Sequence, residues 1–394
     1  MNTTNSYTLA APIPRTLIAD DQPDVATALR LLLREAGYQT EAVTSPAAVL
    51  EALQRSNFDL VLMDLNYARD TTSGQEGLDL IDNIRKLDST VPVVVLTGWA
   101  TVELAVEAMH RGVHDFVQKP WDNPSLLKTL QTQIELGRQR RLQTQLDADH
   151  QKANETFEQE LADAGEIQKA LLPKELPSIK GLEVATAWQP VRTVGGDYFD
   201  VFKFDETRTG FCIADVAGKG MPAALLMSNV QAVLKSLASA TRGPGKLLAR
   251  VNSVVCENIV LNRFISCFYG VLDVPKRKLT FANAGHYPPI LVRDTGCERL
   301  MQGGPVLGVF PQQDFQQHEV ELRSGDALVL YTDGVTEATN ADGEEFGEDR
   351  LQQLLCTGQH LNADEMRERV MSAVSEFSNG SFDDDVTLMV LRVQ

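Results

Sequence analysis

The chain is 394 residues long, 43% hydrophobic and 23% charged, with 36 basic against 54 acidic residues and a formal net charge of −18. That length predicts two domains and a connection; no apolar run reaches the ~18 residues of a membrane span, and so acidic a chain excludes generic binding to nucleic acid or anionic membrane. Five cysteines, at 212, 256, 267, 297 and 356, show no CxxC spacing, which argues against a disulfide scaffold or zinc ribbon and predicts a reducing, cytoplasmic setting.

Residues 1–14 read as a polar tail without a secretory signal, closed by Pro12 and Pro14. Arg15–Ala19 is a short apolar run that predicts a buried strand ending in Asp20 and Asp21. Helical spacing follows over Val25–Ala36 and stops at Gly37. Strands are expected at Gln39–Val43, at Asp59–Met63 with Asp64 just past its end, at Val91–Leu96, and at Asp115–Val117 leading into Lys119 and Pro120. Helices are expected between them at Ala47–Gln54, Leu78–Leu87 and Thr101–Arg111. Five strands alternating with helices predict a doubly wound α/β domain over residues 15–124, a parallel sheet covered on both faces. Its ligand crevice would lie at the carboxyl ends of the strands.

Residues 125–172 carry Leu126, Leu127, Leu130, Ile134, Leu142 and Leu146, then Ala153, Phe157, Leu161, Ala164, Ile167 and Leu171, at helical spacing. Gly137 and Arg141 interrupt the heptad. The segment reads as one long helix, either a dimeric coiled coil or a solvent-exposed connection, with self-association the favoured reading. Pro173 and Pro177 end it.

The texture changes over residues 173–394. β-like runs fall at Glu183–Trp188, Tyr198–Phe204, Gly210–Ile213, Phe268–Leu272, Lys278–Phe281, Ile290–Val292, Ala327–Tyr331 and Val386–Val393. Helical stretches fall at Pro222–Ala238, Gly245–Asn258 and Ala363–Phe377. Many strands around few helices predict an α+β sandwich.

Asp20 and Asp21, Asp64, Thr97 and Lys119 all sit at predicted strand ends and so converge on one crevice. Three carboxylates that close repel one another unless a hard cation sits among them, and Mg²⁺ suits oxygen ligands. Asp64 is placed to take a phosphoryl group as an acyl phosphate, with Lys119 and the Thr97 hydroxyl facing the phosphoryl oxygens. The set resembles the response-regulator receiver family over roughly residues 15–124. The resemblance implies Asp64 as phosphoacceptor, Asp20, Asp21 and Asp64 as Mg²⁺ ligands, Thr97, Phe116 and Lys119 as the switch, a cis peptide at Lys119-Pro120, and a sensor histidine kinase as donor. The segment Asn66–Gly74, before Gly77 and Leu78, is longer than the family's loop, so the approach to a kinase is expected to differ. Trp99 reads either as an interface residue or as a packing residue.

Four acidic motifs mark the second domain: Gly195-Gly196-Asp197-Tyr198-Phe199-Asp200, Asp215-Val216-Ala217-Gly218-Lys219-Gly220, Tyr331-Thr332-Asp333-Gly334-Val335 and Asp383-Asp384-Asp385-Val386-Thr387. They flank β-like runs, where a sandwich can aim acids at one edge, and oxygen donors without a competing His or Cys spacing select Mg²⁺ or Mn²⁺. Two such ions can lower the pKa of a bridging water and clamp a phosphoryl oxygen. The Gly195–Phe199 turn is superficially like that of a diguanylate cyclase, but the later motifs have no place there. No GxxxxGK[ST] frame surrounds Lys219, so a P-loop is rejected.

This set resembles the metal-dependent protein phosphatases (PPM, type 2C), in their SpoIIE-like branch, over about residues 165–394. The match includes Glu166-Ile167-Gln168…Leu172-Pro173, Asn283-Ala284-Gly285-His286 and Gly304-Pro305…Gly308. The resemblance implies two Mn²⁺ or Mg²⁺ ions held by Asp197, Asp215, Asp333 and Asp384, with the Val216 carbonyl as a further ligand. Asp384 rather than its neighbours is chosen because the family pattern puts Thr387 three positions later. Asp200 is expected to cap a turn, His286 to be structural rather than a proton donor, and Arg192 to be a solvated surface residue rather than a phosphate ligand. The implied output is dephosphorylation of serine or threonine on a protein, in this branch typically a STAS-type antagonist of an anti-sigma factor. The competing reading is a non-catalytic adaptor on the same fold.

Overall fold

A computed structural model of the chain describes residues 12–67, 74–98, 102–259 and 263–394. Trp99, residues 68–73 of the loop after Asp64, and most of the polar tail therefore lie outside the described residues. Two compact units divide between Glu155 and Thr156.

In the first unit the elements run β1 (Arg15–Ala19), α1 (Pro23–Glu35), β2 (Gln39–Val43), α2 (Pro46–Arg55), β3 (Leu60–Asp64), α3 (Gln75–Leu87), β4 (Val93–Thr97), α4 (Val102–His110), β5 (Asp115–Gln118) and α5 (Asn123–Leu171). The sheet is parallel, in the order β2-β1-β3-β4-β5. Strands β3 and β4 are buried along their whole length, as expected of apolar runs covered by helices on both sides. The chain leaves β1 for β2 on one side and returns to β3 on the other, so the carboxyl ends of β1 and β3 lie side by side at the switch point. The Lys119-Pro120 peptide is cis.

The first turns of α5 belong to this sheet's packing, because Leu126, Leu130 and Ile134 are buried with Leu60, Leu62 and Val94. The two breaks in its heptad have local causes. A Cβ on Gly137 would come within 2.7 Å of the Pro92 ring. Arg141 donates to the Phe58 carbonyl at 2.6 Å and pairs with Asp88 at 2.9 Å.

The second unit continues with β6 (Leu182–Gln189), β7 (Tyr198–Lys203), β8 (Arg208–Val216), α6 (Met221–Ala238), α7 (Pro244–Asn258), β9 (Ile265–Asp273), β10 (Lys278–Ala284), β11 (Ile290–Arg293), β12 (Gly296–Arg299), β13 (His318–Glu321), β14 (Ala327–Tyr331), α8 (Asp333–Thr336), α9 (Gly347–Thr357), α10 (Ala363–Phe377) and β15 (Val386–Val393). Two antiparallel sheets form, β13-β10-β9-β8-β7 and β12-β11-β14-β15-β6. Helices α6 and α7 cover the first and α9 and α10 the second. Period-2 alternation explains how one strand serves two layers. Leu328 and Leu330 of β14 enter the core between the sheets, with Phe211, Phe268 and Phe281. Val329 and Tyr331 point the other way, into the layer shared with Val370 and Val374 of α10.

The sequence reading missed β12, β13, α8 and α9. The two strands are four residues each and half exposed, with no apolar alternation to mark them. Cys297 of β12 and Cys356 of α9 are joined as a disulfide with Cα atoms 5.7 Å apart, a link that the odd cysteine count did not anticipate, while Cys212, Cys256 and Cys267 are free. Among the described residues no helix is long and apolar enough to cross a membrane.

Candidate active site

At the carboxyl edge of the parallel sheet the acids expected from the sequence do meet. Ligand oxygens of Asp20, Asp21 and Asp64 lie within 4.8 Å of one another, the one such trio of potential metal ligands among the described residues. Asp64 is the last residue of β3, one position further into the strand than its sequence pattern indicates. Lys119 reaches in from beyond β5 and donates at 2.8 Å both to Asp20 Oδ2 and to Asp64 Oδ2. The backbone fixes this reach, since the Lys119 N–H donates to the Thr97 carbonyl at 2.8 Å. Thr97 ends β4 and is buried, and Phe116 on β5 packs partly buried against the sheet's core. Sequence reasoning overlooked Tyr67, buried beside the acids, whose phenol is pushed up by burial and then by Asp64 and Asp20.

The second constellation is assembled from four strand ends. Asp197 precedes β7, Asp215 and Val216 end β8, Asp333 opens α8 directly after β14, and Asp384 precedes β15. Asp197 is 1% exposed, and one of its oxygens accepts from two hydroxyls, Thr332 Oγ1 at 2.8 Å and Thr387 Oγ1 at 2.5 Å. Burial, then the charge of Asp215, raises its pKa. Asp215 is pushed up to about 7 by burial, then by Asp333 and Asp384. Asp333 is pushed up to about 6 by burial and then by Asp384. Burial and like charge thus raise all three, with Lys219 offsetting part of the effect at Asp333 and the two threonines part of it at Asp197, and a cation relieves such crowding.

These acids form a looser set than the first trio. Lys219 Nζ, on a side chain 41% exposed, pairs with Asp384 Oδ2 at 2.9 Å and sits at its rim.

The register among the three consecutive aspartates is divided by function. Asp385 turns inward as a scaffold: its oxygens accept from Val191 N–H at 2.8 Å and Gly196 N–H at 2.7 Å. Asp384 faces Asp215, Asp333 and Lys219 instead. Two glycines make this approach feasible. A Cβ on Gly195 would lie 2.4 Å from Asp385 Oδ2, and one on Gly334 would lie 2.1 Å from the Asp385 carbonyl oxygen.

The remaining motif residues are placed as follows. Asp200 is not a turn cap: it is a buried strand residue that accepts from the Tyr198 hydroxyl at 2.9 Å. His286 is buried, and its Nδ1 meets Ser266 Oγ at 2.8 Å. Its backbone is clamped by Asn283, whose Oδ1 accepts from the His286 N–H and whose Nδ2 donates to the His286 carbonyl. Arg192 is exposed, with Nη1 3.6 Å from where a Cβ on Gly220 would stand.

The sequence did not reveal the role of Gln168, near the end of α5. Its Nε2 donates to the Gly195 carbonyl at 2.6 Å and its Oε1 accepts from the Gly195 N–H at 2.9 Å. The helix therefore grips the loop that carries Asp197 through a buried side-chain amide.

Comparison with known proteins gives two family matches. A family model described as Stage II sporulation protein E (SpoIIE) matches residues 205–394, and one described as Response regulator receiver domain matches residues 16–131. Over 235 residues the chain is 33% identical to phosphoserine phosphatase RsbU of Bacillus subtilis, covering 59% of this chain and 70% of that protein. Over 115 residues it is 35% identical to transcriptional regulatory protein ZraR of Escherichia coli, covering 29% of this chain and 25% of that protein. The SiaA-PP2C domain of Pseudomonas aeruginosa shares the fold of the second unit, with a TM-score of 0.55 at 23% identity over 61% of this chain and 99% of that one.

Proposed function

The chain belongs to the SpoIIE family of protein serine/threonine phosphatases and carries a response-regulator receiver ahead of that domain, and on that premise we propose a response regulator whose phosphatase output is set by phosphorylation of Asp64. The domain limits that go with this reading are receiver 15–124, linker 125–172 and phosphatase 173–394. The upstream donor is a sensor histidine kinase. The substrate is a phosphoserine or phosphothreonine protein, a STAS-type antagonist of an anti-sigma factor being the class the family resemblance implies.

The donor sets fit hard divalent cations: carboxylates and the Val216 carbonyl, with no thiolate or imidazole, and acids whose raised pKa values record their mutual crowding. When bound, one Mg²⁺ at Asp20, Asp21 and Asp64, and two Mn²⁺ or Mg²⁺ at Asp197, Asp215, Val216, Asp333 and Asp384, supply charge neutralisation at phosphoryl oxygens and a more acidic water. In the receiver the Asp64 carboxylate attacks the phosphoryl group, the bond to the kinase histidine breaks, and an acyl phosphate of charge about −1.5 to −2 results. Lys119 is held where it can pair with the new phosphoryl oxygens, and Thr97 offers its hydroxyl from the neighbouring strand end. In the phosphatase domain Thr332 and Thr387 fix the orientation of Asp197, and Gln168 holds the loop before it.

The observation that carries this reading is the convergence of four acidic strand ends: Asp197 accepts from Thr332 and Thr387, a Cβ on Gly196 would stand 2.9 Å from the Val216 carbonyl oxygen, and one on Gly334 would stand 3.0 Å from that of Asp384. Wild type with Mn²⁺ is expected to hydrolyse a serine phosphopeptide and Asp215→Asn to lose that activity at least a hundredfold. A wild type inert with every divalent ion on peptide and aryl phosphate alike would overturn it.

The exposed apolar residues Leu142, Leu146 and Phe157 on α5 support a homodimer joined through this helix.

A further inference from the structure

Resting on the phosphatase reading above, we propose that Lys219 has two anionic partners in turn: it holds Asp384 Oδ2 until a divalent cation takes that oxygen, and then pairs with the phosphoryl oxygens of the substrate. Lys219 Nζ lies 2.9 Å from Asp384 Oδ2 and also donates to the Asp383 carbonyl. Asp384 Oδ1 is committed elsewhere, since it accepts from the Asp385 N–H at 2.9 Å. Oδ2 is therefore the oxygen through which Asp384 would hold an ion, and the ammonium stands on it. An ammonium and a divalent ion on one carboxylate oxygen come within about 4 Å of each other, and their repulsion drives the monovalent charge off.

The backbone around Lys219 keeps the residue at the pocket whichever partner it has. Gly218, with φ 103°, and Gly220, with φ 73°, both take left-handed backbone, which glycine adopts without strain. The strap between β8 and α6 thus turns twice and carries one long side chain between the turns. Its start is fixed, because Arg263 Nη1 donates to the Ala217 carbonyl at 2.7 Å, and a Cβ on Gly218 would come 2.2 Å from that nitrogen. Lys219 is anchored close to Asp215 and Val216 in this way, while its flexible stem, on a side chain 41% exposed, can reorient. Released from Asp384, the ammonium stays at the rim of the pocket, where the arriving anion is the phosphoryl group of the substrate. Such a group, of charge about −1.5 to −2, accepts from Nζ in a charge-assisted hydrogen bond.

The test uses the full-length protein and Lys219→Met, which keeps a long stem and removes the charge. Calorimetry with Mn²⁺ alone is expected to give about fivefold tighter binding in Lys219→Met, because no ammonium has to leave Asp384. Arg192→Met is the control for charge in general, since Arg192 Nη1 lies 3.6 Å from where a Cβ on Gly220 would stand, and it is expected to leave Mn²⁺ affinity unchanged. With Mn²⁺ saturating, KM for a serine phosphopeptide and the inhibition constant of inorganic phosphate are both expected to rise about tenfold in Lys219→Met, and Lys219→Arg to recover most of that loss. Mn²⁺ binding that is equal or weaker in Lys219→Met, or that tightens as much in Arg192→Met, overturns the exchange at Asp384. An unchanged KM and an unchanged phosphate inhibition overturn the second pairing. If wild type turns over neither the peptide nor p-nitrophenyl phosphate, the phosphatase reading fails instead, and the Mn²⁺ titrations still decide the exchange.

Discussion

Asp197, Asp384 and Asp385 show how little an acidic residue's identity says about its task. Asp197 spends one oxygen on two threonine hydroxyls, Asp385 spends both on backbone N–H groups, and Asp384 pairs with Lys219. The threonines were legible as parts of the Tyr-Thr-Asp and Asp-Val-Thr motifs, but their common target was not, because positions 332 and 387 meet only when β14 and β15 pair. Ionisation at this scale carries a pH prediction. His286 is fully buried and held down to about 4 by that burial. An unfolded chain, with the ordinary value near 6.5, takes up the proton first. The stability His286 supports is therefore complete above about pH 6.5 and lost as pH falls toward 4, amounting to about 2 kcal/mol by pH 5. Thermal midpoints measured from pH 7.5 to 5 should fall more steeply in wild type than in His286→Gln; equal slopes would contradict this assignment.

Among the elements, the long helix α5 has two jobs written in different chemistry. Its N-terminal turns bury Leu126, Leu130 and Ile134, which any periodicity argument finds. Near its C-terminal end it offers Gln168, whose amide makes two hydrogen bonds to Gly195. A glutamine on a helix reads as a polar-face residue, so pattern alone cannot single it out. Gln168→Ala leaves both Gly195 groups unpaired and loosens the loop before Asp197. The expected result is a roughly tenfold loss in kcat and weaker Mn²⁺ binding by calorimetry, without a change in secondary structure by circular dichroism. Unchanged Mn²⁺ affinity would assign Gln168 to packing alone. The β elements divide similarly: β14 is a continuous apolar run and β15 one broken only by Thr387 and Arg392, both with the bounds that the sequence indicates, whereas β12 and β13 exist through pairing with β11 and β10.

At the scale of the whole molecule, a receiver and a phosphatase share one chain, and the proposed control by Asp64 requires the helix between them to have two arrangements whose balance depends on the charge there. Acyl phosphate added to wild type is expected to change the phosphopeptide turnover rate severalfold, in a direction the assay itself reveals, while Asp64→Asn holds one rate throughout. Equal rates for both proteins, with and without the phosphodonor, would break the link between the domains.

The sequence by itself determined the order of domains, the alternation that makes a parallel sheet, and the motifs holding Asp64, Asp197, Asp215, Asp333 and Asp384. All of these depend on neighbours within a few residues. Only the tertiary structure decided which aspartate of three turns inward, that Gln168 grips Gly195, that Lys219 rests on Asp384, and that Thr332 and Thr387 share one oxygen of Asp197. Those contacts join residues tens to hundreds of positions apart, and hydrogen-bond and charge geometry over such separations exists only once the strands have paired and the helices have packed.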